Sequence, residues 1–162
     1  MFLHDGPSIK LLAHIFYLSL FALIFVIDLD EKIIPNVLLY PSLPIAFLLS
    51  TFVLDIGWSR SLIGGGVAFS LLLIPYLIYK EGMGGGDVKL SGLMGLSLGF
   101  PVVLAALFLA IISGGLLAAA LLLLKRGGRK SAIPFGPFLS LAALLSLIWG
   151  RELISFYLSI IR

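Results

Sequence analysis

The sequence contains no cysteine, which excludes disulfides, thiolate catalysis and cysteine-based zinc sites. Charge is scarce as well. Only 12% of the 162 residues are Asp, Glu, Lys or Arg, where soluble domains carry about a quarter. Eleven Lys and Arg against eight Asp and Glu leave a net charge of +3. That bias is too weak and too scattered for a nucleic-acid partner. Histidine occurs twice, as His4 in the N-terminal tail and His14 within an apolar run. Neither is expected to act in catalysis, and no metal or cofactor is expected. What the chain has in plenty is apolar surface, with 60% hydrophobic residues and a mean hydropathy of +1.19. An ordinary globular protein is excluded. The expectation is an all-α, polytopic membrane protein whose first partner is the lipid bilayer.

Charge-free runs delimit the spans. Leu11 to Ile27, Ile33 to Leu54, Ser61 to Tyr79 and Ser131 to Gly150 carry no Asp, Glu, Lys or Arg. Each approaches the roughly 20 residues needed to cross about 30 Å of hydrocarbon. Leu90 to Leu124 is too long for one helix and breaks naturally at Gly99-Phe100-Pro101, because proline starts a helix more readily than it continues one. Six transmembrane helices are therefore predicted, at about 10–28, 34–54, 60–79, 84–98, 101–124 and 134–150, in a single transmembrane domain over 1–162. The amphipathic piece Arg151 to Arg162 either extends the last helix or lies along the interface. No small-residue cleavage pattern follows the first apolar run, so it reads as a retained helix rather than a secretory signal.

Orientation comes from Lys125-Arg126-Gly127-Gly128-Arg129-Lys130, whose four basic residues place that loop in the cytoplasm. Counting back, loops 28–33 and 80–87 are cytoplasmic too, and both termini face outward. On the other side Arg60 is balanced by Asp55. Most acidic residues then gather on the cytoplasmic side, which random decoration does not produce.

Two segments carry them. The first is Ile27-Asp28-Leu29-Asp30-Glu31-Lys32-Ile33-Ile34-Pro35-Asn36, and the second is Lys80-Glu81-Gly82-Met83-Gly84-Gly85-Gly86-Asp87-Val88-Lys89-Leu90. Asp30, Glu31 and Lys32 read as a solvated turn, with Pro35 starting a helix. Asp28 follows directly on an apolar run, where a carboxylate is costly unless it faces protein or a water-filled cavity. The glycines before Asp87 each cost about 1 kcal/mol relative to Ala in a helix interior. They permit unusual backbone angles and leave room for a peptide or a second carboxylate. A phosphate-binding loop is a poor fit, since the Gly-Lys-Ser/Thr ending is missing and an Asp repels phosphate. Asp87 is expected at a helix N-terminus, whose dipole favours negative charge. Two carboxyls close together cannot both ionise easily. One can act as base on a water while the other acts as acid on a scissile carbonyl, which is the chemistry of an aspartic protease.

Gly84-Gly85-Gly86-Asp87 matches the Gly-x-Gly-Asp signature of intramembrane aspartyl proteases, and the longer string from Glu81 to Leu90 resembles bacterial type IV prepilin leader peptidases. Ile27-Asp28-Leu29-Asp30 through Ile34-Pro35-Asn36 is similar to that family's earlier Ile-Asp-x-Asp segment. Ile133-Pro134-Phe135-Gly136-Pro137-Phe138-Leu139 resembles the opening of its last helix. The resemblance implies Asp28 and Asp87 as the catalytic pair, with Asp30 the nearest competitor to Asp28. It makes Gly84 and Gly86 the signature glycines. Lys89 matches a family lysine, either supporting the site electrostatically or snorkelling to the interface. It further implies an endopeptidase of the inner membrane that removes short basic leaders from prepilins or pseudopilins near the cytoplasmic face. Asp30, Glu31 and Glu81 are expected to attract such a leader.

Full-length bacterial members usually begin with an additional helix and a cytoplasmic domain bearing Cys-x-x-Cys pairs, associated with N-methylation. The lack of cysteine here implies a short form or a fragment, and methyltransferase activity is not predicted. The sequence sets no oligomeric state. A rival reading, a small cation or proton transporter or channel, would use the same carboxylates, but no internal repeat of the kind common in transporters is visible. Presenilin-like and signal-peptide-peptidase-like enzymes pair Gly-x-Gly-Asp with Tyr-Asp and Pro-Ala-Leu, and rhomboids need Gly-x-Ser-Gly; none of these three is in the sequence. The stretches Gly64-Gly65-Gly66 and Gly92/Gly95/Gly99 are expected to serve helix packing, and Tyr40, Tyr76 and Tyr79 to anchor at the interface.

Overall fold

The computed structural model describes residues 9–78, 84–124 and 135–161. The order is α1 (Ile9–Glu31), α2 (Asn36–Leu48), a π-helical turn (Leu49–Val53), α3 (Trp58–Ile78), α4 (Gly85–Leu98), α5 (Val102–Leu123) and α6 (Gly136–Ile161). The described residues contain no strand, so the fold is all-α. Four helical stretches are long and apolar enough to cross a membrane: Ile9–Glu31, Asn36–Val53, Trp58–Ile78 and Val102–Ala120. The apolar part of α6, Gly136–Gly150, is shorter. With 14 residues, α4 reaches only about 21 Å at about 1.5 Å per residue. Six helices form as expected; among the described residues four are both long and apolar enough to span.

Two boundaries differ from the sequence expectation, and an open one is decided. Helix α1 runs one turn further, to Glu31, because Asp30 and Glu31 are exposed and solvated. It stops where Lys32 turns left-handed, with φ 55°. Asp28 thus lies inside the last turn rather than at its end. Helix α2 contains Pro41 and Pro44, which remove two amide donors from the ladder, and it passes into the π-turn before Asp55. There Tyr17 Oη donates to the Ala46 carbonyl at 2.7 Å and meets Ser50 Oγ at 2.7 Å. Helix α6 continues past Arg151 to Ile161, so the final segment extends the helix. Gly99, with φ 70°, and Pro101 separate α4 from α5 where the break is predicted.

Helix α4 is the buried centre, with nearly every residue from Asp87 to Leu98 shielded, and it packs on α2, α3 and α6. The contact with α3 is the closest. A Cβ at Gly95 would collide with the Gly64 carbonyl, and one at Gly64 would lie 2.6 Å from the Gly95 oxygen. In a bilayer, where lipid is as apolar as leucine, such close packing rather than water exclusion holds helices together. Hydrogen bonds add to it. Ser61 Oγ donates to the Leu96 carbonyl at 2.7 Å, Ser91 Oγ to that of Ala68 at 3.1 Å, and the Phe100 amide to that of Arg60 at 2.9 Å. Around this pair Tyr17, Phe21, Ile24, Leu39, Leu90, Met94 and Leu139 form the core. Large apolar side chains such as Val37, Phe52 and Phe108 face outward, as lipid contact requires.

The bundle has two distinct ends. At one, Asp55 pairs with Lys10 at 2.7 Å, rather than serving Arg60. At the other, the C-terminus of α1 meets the N-termini of α2, α4 and α6. The basic loop 125–130 and residues 80–83 lie outside the described residues.

Candidate active site

Asp28 enters this second end from α1, and Asp87 from the first turn of α4. Each is buried, with 3% and 7% of its surface exposed respectively, while its acidic neighbours are not. Asp30 and Glu31 point into the surroundings. Burial thus separates Asp28 from Asp30. The two buried carboxyls lie close enough for the charge of Asp28 to act on Asp87. One backbone unit connects them: Gly136, the first residue of α6, abuts Asp28 Oδ2 and directs its amide toward Asp87.

The sequence around Asp87 explains its pose. Gly84 caps α4 in an extended conformation (φ −75°, ψ 137°), and its amide donates to Asp87 Oδ2 at 3.3 Å. Here a carboxylate at N3 reaches back to the cap amide, one half of a capping box. No unusual backbone angle is used, since Gly85 and Gly86 are already helical. What the glycine run supplies is room. A Cβ on Gly86 would lie 3.0 Å from Ile34 Cβ, so the turn between α1 and α2 seats its buried isoleucine directly on the helix carrying Asp87. Pro35 follows as the cap of α2, its carbonyl accepting the amides of Leu38 and Leu39 at 3.1 and 3.2 Å.

The profile of the type IV leader peptidase family matches residues 15–119, a stretch that includes both aspartates and the glycine run. The chain belongs to the type IV leader peptidase family. It is 33% identical over 156 residues to the prepilin leader peptidase/N-methyltransferase of Bacillus subtilis (strain 168), covering 94% of this chain and 62% of that protein. The protein of the same name from Legionella pneumophila is 29% identical over 160 residues, covering 96% of this chain and 56% of its own length. That from Stutzerimonas stutzeri is 30% identical over 141 residues, covering 84% and 49%. The chain thus spans between about half and three-fifths of these relatives. No solved structure matches it. Membership and the four apolar spans make this chain a multi-pass membrane protein.

The remaining site candidates divide. Among the described residues Lys89 has two polar partners. Its Nζ donates to Asn36 Oδ1 at 2.8 Å and to Tyr40 Oη at 3.1 Å, and sits 5.0 Å from the centre of the Tyr40 ring. It ties α4 to the first turn of α2, and so fixes Asp87 relative to the turn that follows Asp28. Tyr40, expected as an interface anchor, and Asn36 are thereby part of the site's frame. Glu81 lies outside the described residues. Sequence reasoning saw the segment containing Gly136 as a family motif but did not place it between the aspartates. Its signal was a buried glycine opening an apolar helix.

Proposed function

We propose that this chain is an aspartic endopeptidase of the cytoplasmic membrane, one peptidase domain over 1–162, that removes the short basic leader from prepilins or pseudopilins. The convergence of two buried carboxyls, Asp28 and Asp87, at one end of the bundle carries the reading. Family membership supports the substrate class. A water held between the carboxyls loses a proton to the ionised one as its oxygen attacks the scissile carbonyl carbon. The protonated partner gives its proton to the carbonyl oxygen, forming a gem-diol. Return of a proton to the amide nitrogen then lets the C–N bond break. Metal and nucleophilic serine are not needed for these steps.

The basic loop 125–130 would set the site at the cytoplasmic face, where a substrate's basic leader meets its apolar membrane helix. Exposed Asp30 and Glu31 flank that position. The test is incubation of the detergent-solubilised protein with a synthetic prepilin, followed by sequencing of the new N-terminus. Asp28→Asn and Asp87→Asn should each lower turnover by about 10²–10⁴-fold. Wild-type turnover by either variant refutes the dyad.

A further inference from the structure

Helices α1 and α4 carry the two aspartates, and α6 packs against both. At its start, the Phe135 carbonyl accepts the amides of Phe138 and Leu139 at 3.1 and 3.2 Å. Pro137 has no amide hydrogen, so Gly136 is the first-turn residue left with a donor that the helix itself does not use. That amide is directed at Asp87. On its other side Gly136 meets Asp28. A Cβ there would overlap Asp28 Oδ2 and lie 2.9 Å from Ile34 Cδ1 and 3.0 Å from Asp28 Cγ. Asp28 Oδ2 is itself fully shielded, with no hydrogen-bond partner among the described residues. A carboxylate oxygen in that condition is held against a surface for a reason other than its own stability.

We propose that Gly136 is a positioning residue for the aspartate pair: its bare Cα sets how far Asp28 can advance toward Asp87, so the start of α6 helps to fix the separation of the two carboxyls. The role rests on the aspartic-peptidase reading. A packing glycine would need to be small only because apolar neighbours are near. Gly136 instead bears directly on a reacting carboxyl, Asp28 Oδ2.

Gly136→Ala forces Asp28 to retreat while leaving the amide in place. Displacements of about 1 Å in a reacting group cost about 10²-fold in rate. The expected result is a kcat lowered about 10- to 100-fold with KM changed less than about threefold. Gly115→Ala, where a Cβ meets nothing within 4 Å, should cleave like wild type. Ile34→Ala added to Gly136→Ala should not restore kcat, because the Asp28 contact remains.

A thermal-unfolding cycle in detergent covers the case of a poorly folded variant. Gly136→Ala should lower Tm in the wild-type background and much less in an Asp28→Ala background. The proposal falls if folded Gly136→Ala cleaves within threefold of wild type, if Ile34→Ala rescues it, or if the Tm loss is equal in both backgrounds. In those cases wild-type cleavage and inactive Asp→Asn variants would leave the peptidase reading standing. Wild-type-like cleavage by Asp28→Asn would instead overturn that reading, and this role with it.

Discussion

Gly86→Ala is the sharpest probe of the frame around the aspartates. The new Cβ would lie 3.0 Å from Ile34 Cβ, whereas carbon atoms settle at about 3.5–4.0 Å. One side must give by a few tenths of an ångström. Ile34 cannot rotate away, because the contact is with its β-carbon and not with the end of its side chain. The movement therefore passes to the backbone, either of the turn following Asp28 or of the first turn of α4 holding Asp87. A misplacement of about 1 Å costs about 10²-fold, so a shift of a few tenths should lower kcat for prepilin cleavage about 3- to 10-fold, or about 0.6–1.4 kcal/mol in the barrier. Single-turnover cleavage of a synthetic prepilin, with Tm recorded in the same detergent, measures it. Ile34→Ala retains the β-carbon and should give no rescue. Full activity in Gly86→Ala, or rescue by Ile34→Ala, would refute the claim that this contact spaces the two carboxyls.

Three further outcomes follow from the same structure. Lys89→Met removes the bonds to Asn36 and Tyr40; a charged hydrogen bond is worth about 1.5–3 kcal/mol at most, and partial exposure of these groups lowers that. A modest Tm loss with reduced kcat is expected, and unchanged values for both would mean the tie is idle. Gly95→Ala drives a Cβ into the Gly64 carbonyl, and overpacking costs about 1–3 kcal/mol or more. Gly66→Ala meets nothing within 4 Å and should be neutral or gain up to about 1 kcal/mol, so equal Tm values would contradict the α3–α4 crossing. Neutralising Asp30, Glu31 and Glu81 together to Asn or Gln should weaken cleavage of a Lys-rich leader, most clearly at low salt; unchanged turnover would remove these carboxylates from substrate capture.

The number of helices and the identity of the two buried acids were legible in the chain because both follow from local chemistry. Charge-free runs mark helices that lipid can surround, and an acid at the end of such a run must face protein. Glycine before an acid signals a close approach without saying what approaches. Chain folding supplied that partner: Ile34 on Gly86, and α6 on Asp28. The length of α1 was less legible, since an exposed acidic turn can stay helical. The role of Lys89 was open for a similar reason. A long, flexible amine can reach an interface, a carboxylate or a neighbouring helix, and only the packing of α2 beside α4 selects Asn36 and Tyr40.

Sequence alone determined the solvent, the all-helical class and the candidate acids, because hydrophobicity and charge are properties of residues taken one at a time. Tertiary structure decided which groups share a site. That depends on how closely backbones can approach, and the approach is set where Gly64 meets Gly95, Gly86 meets Ile34 and Gly136 meets Asp28.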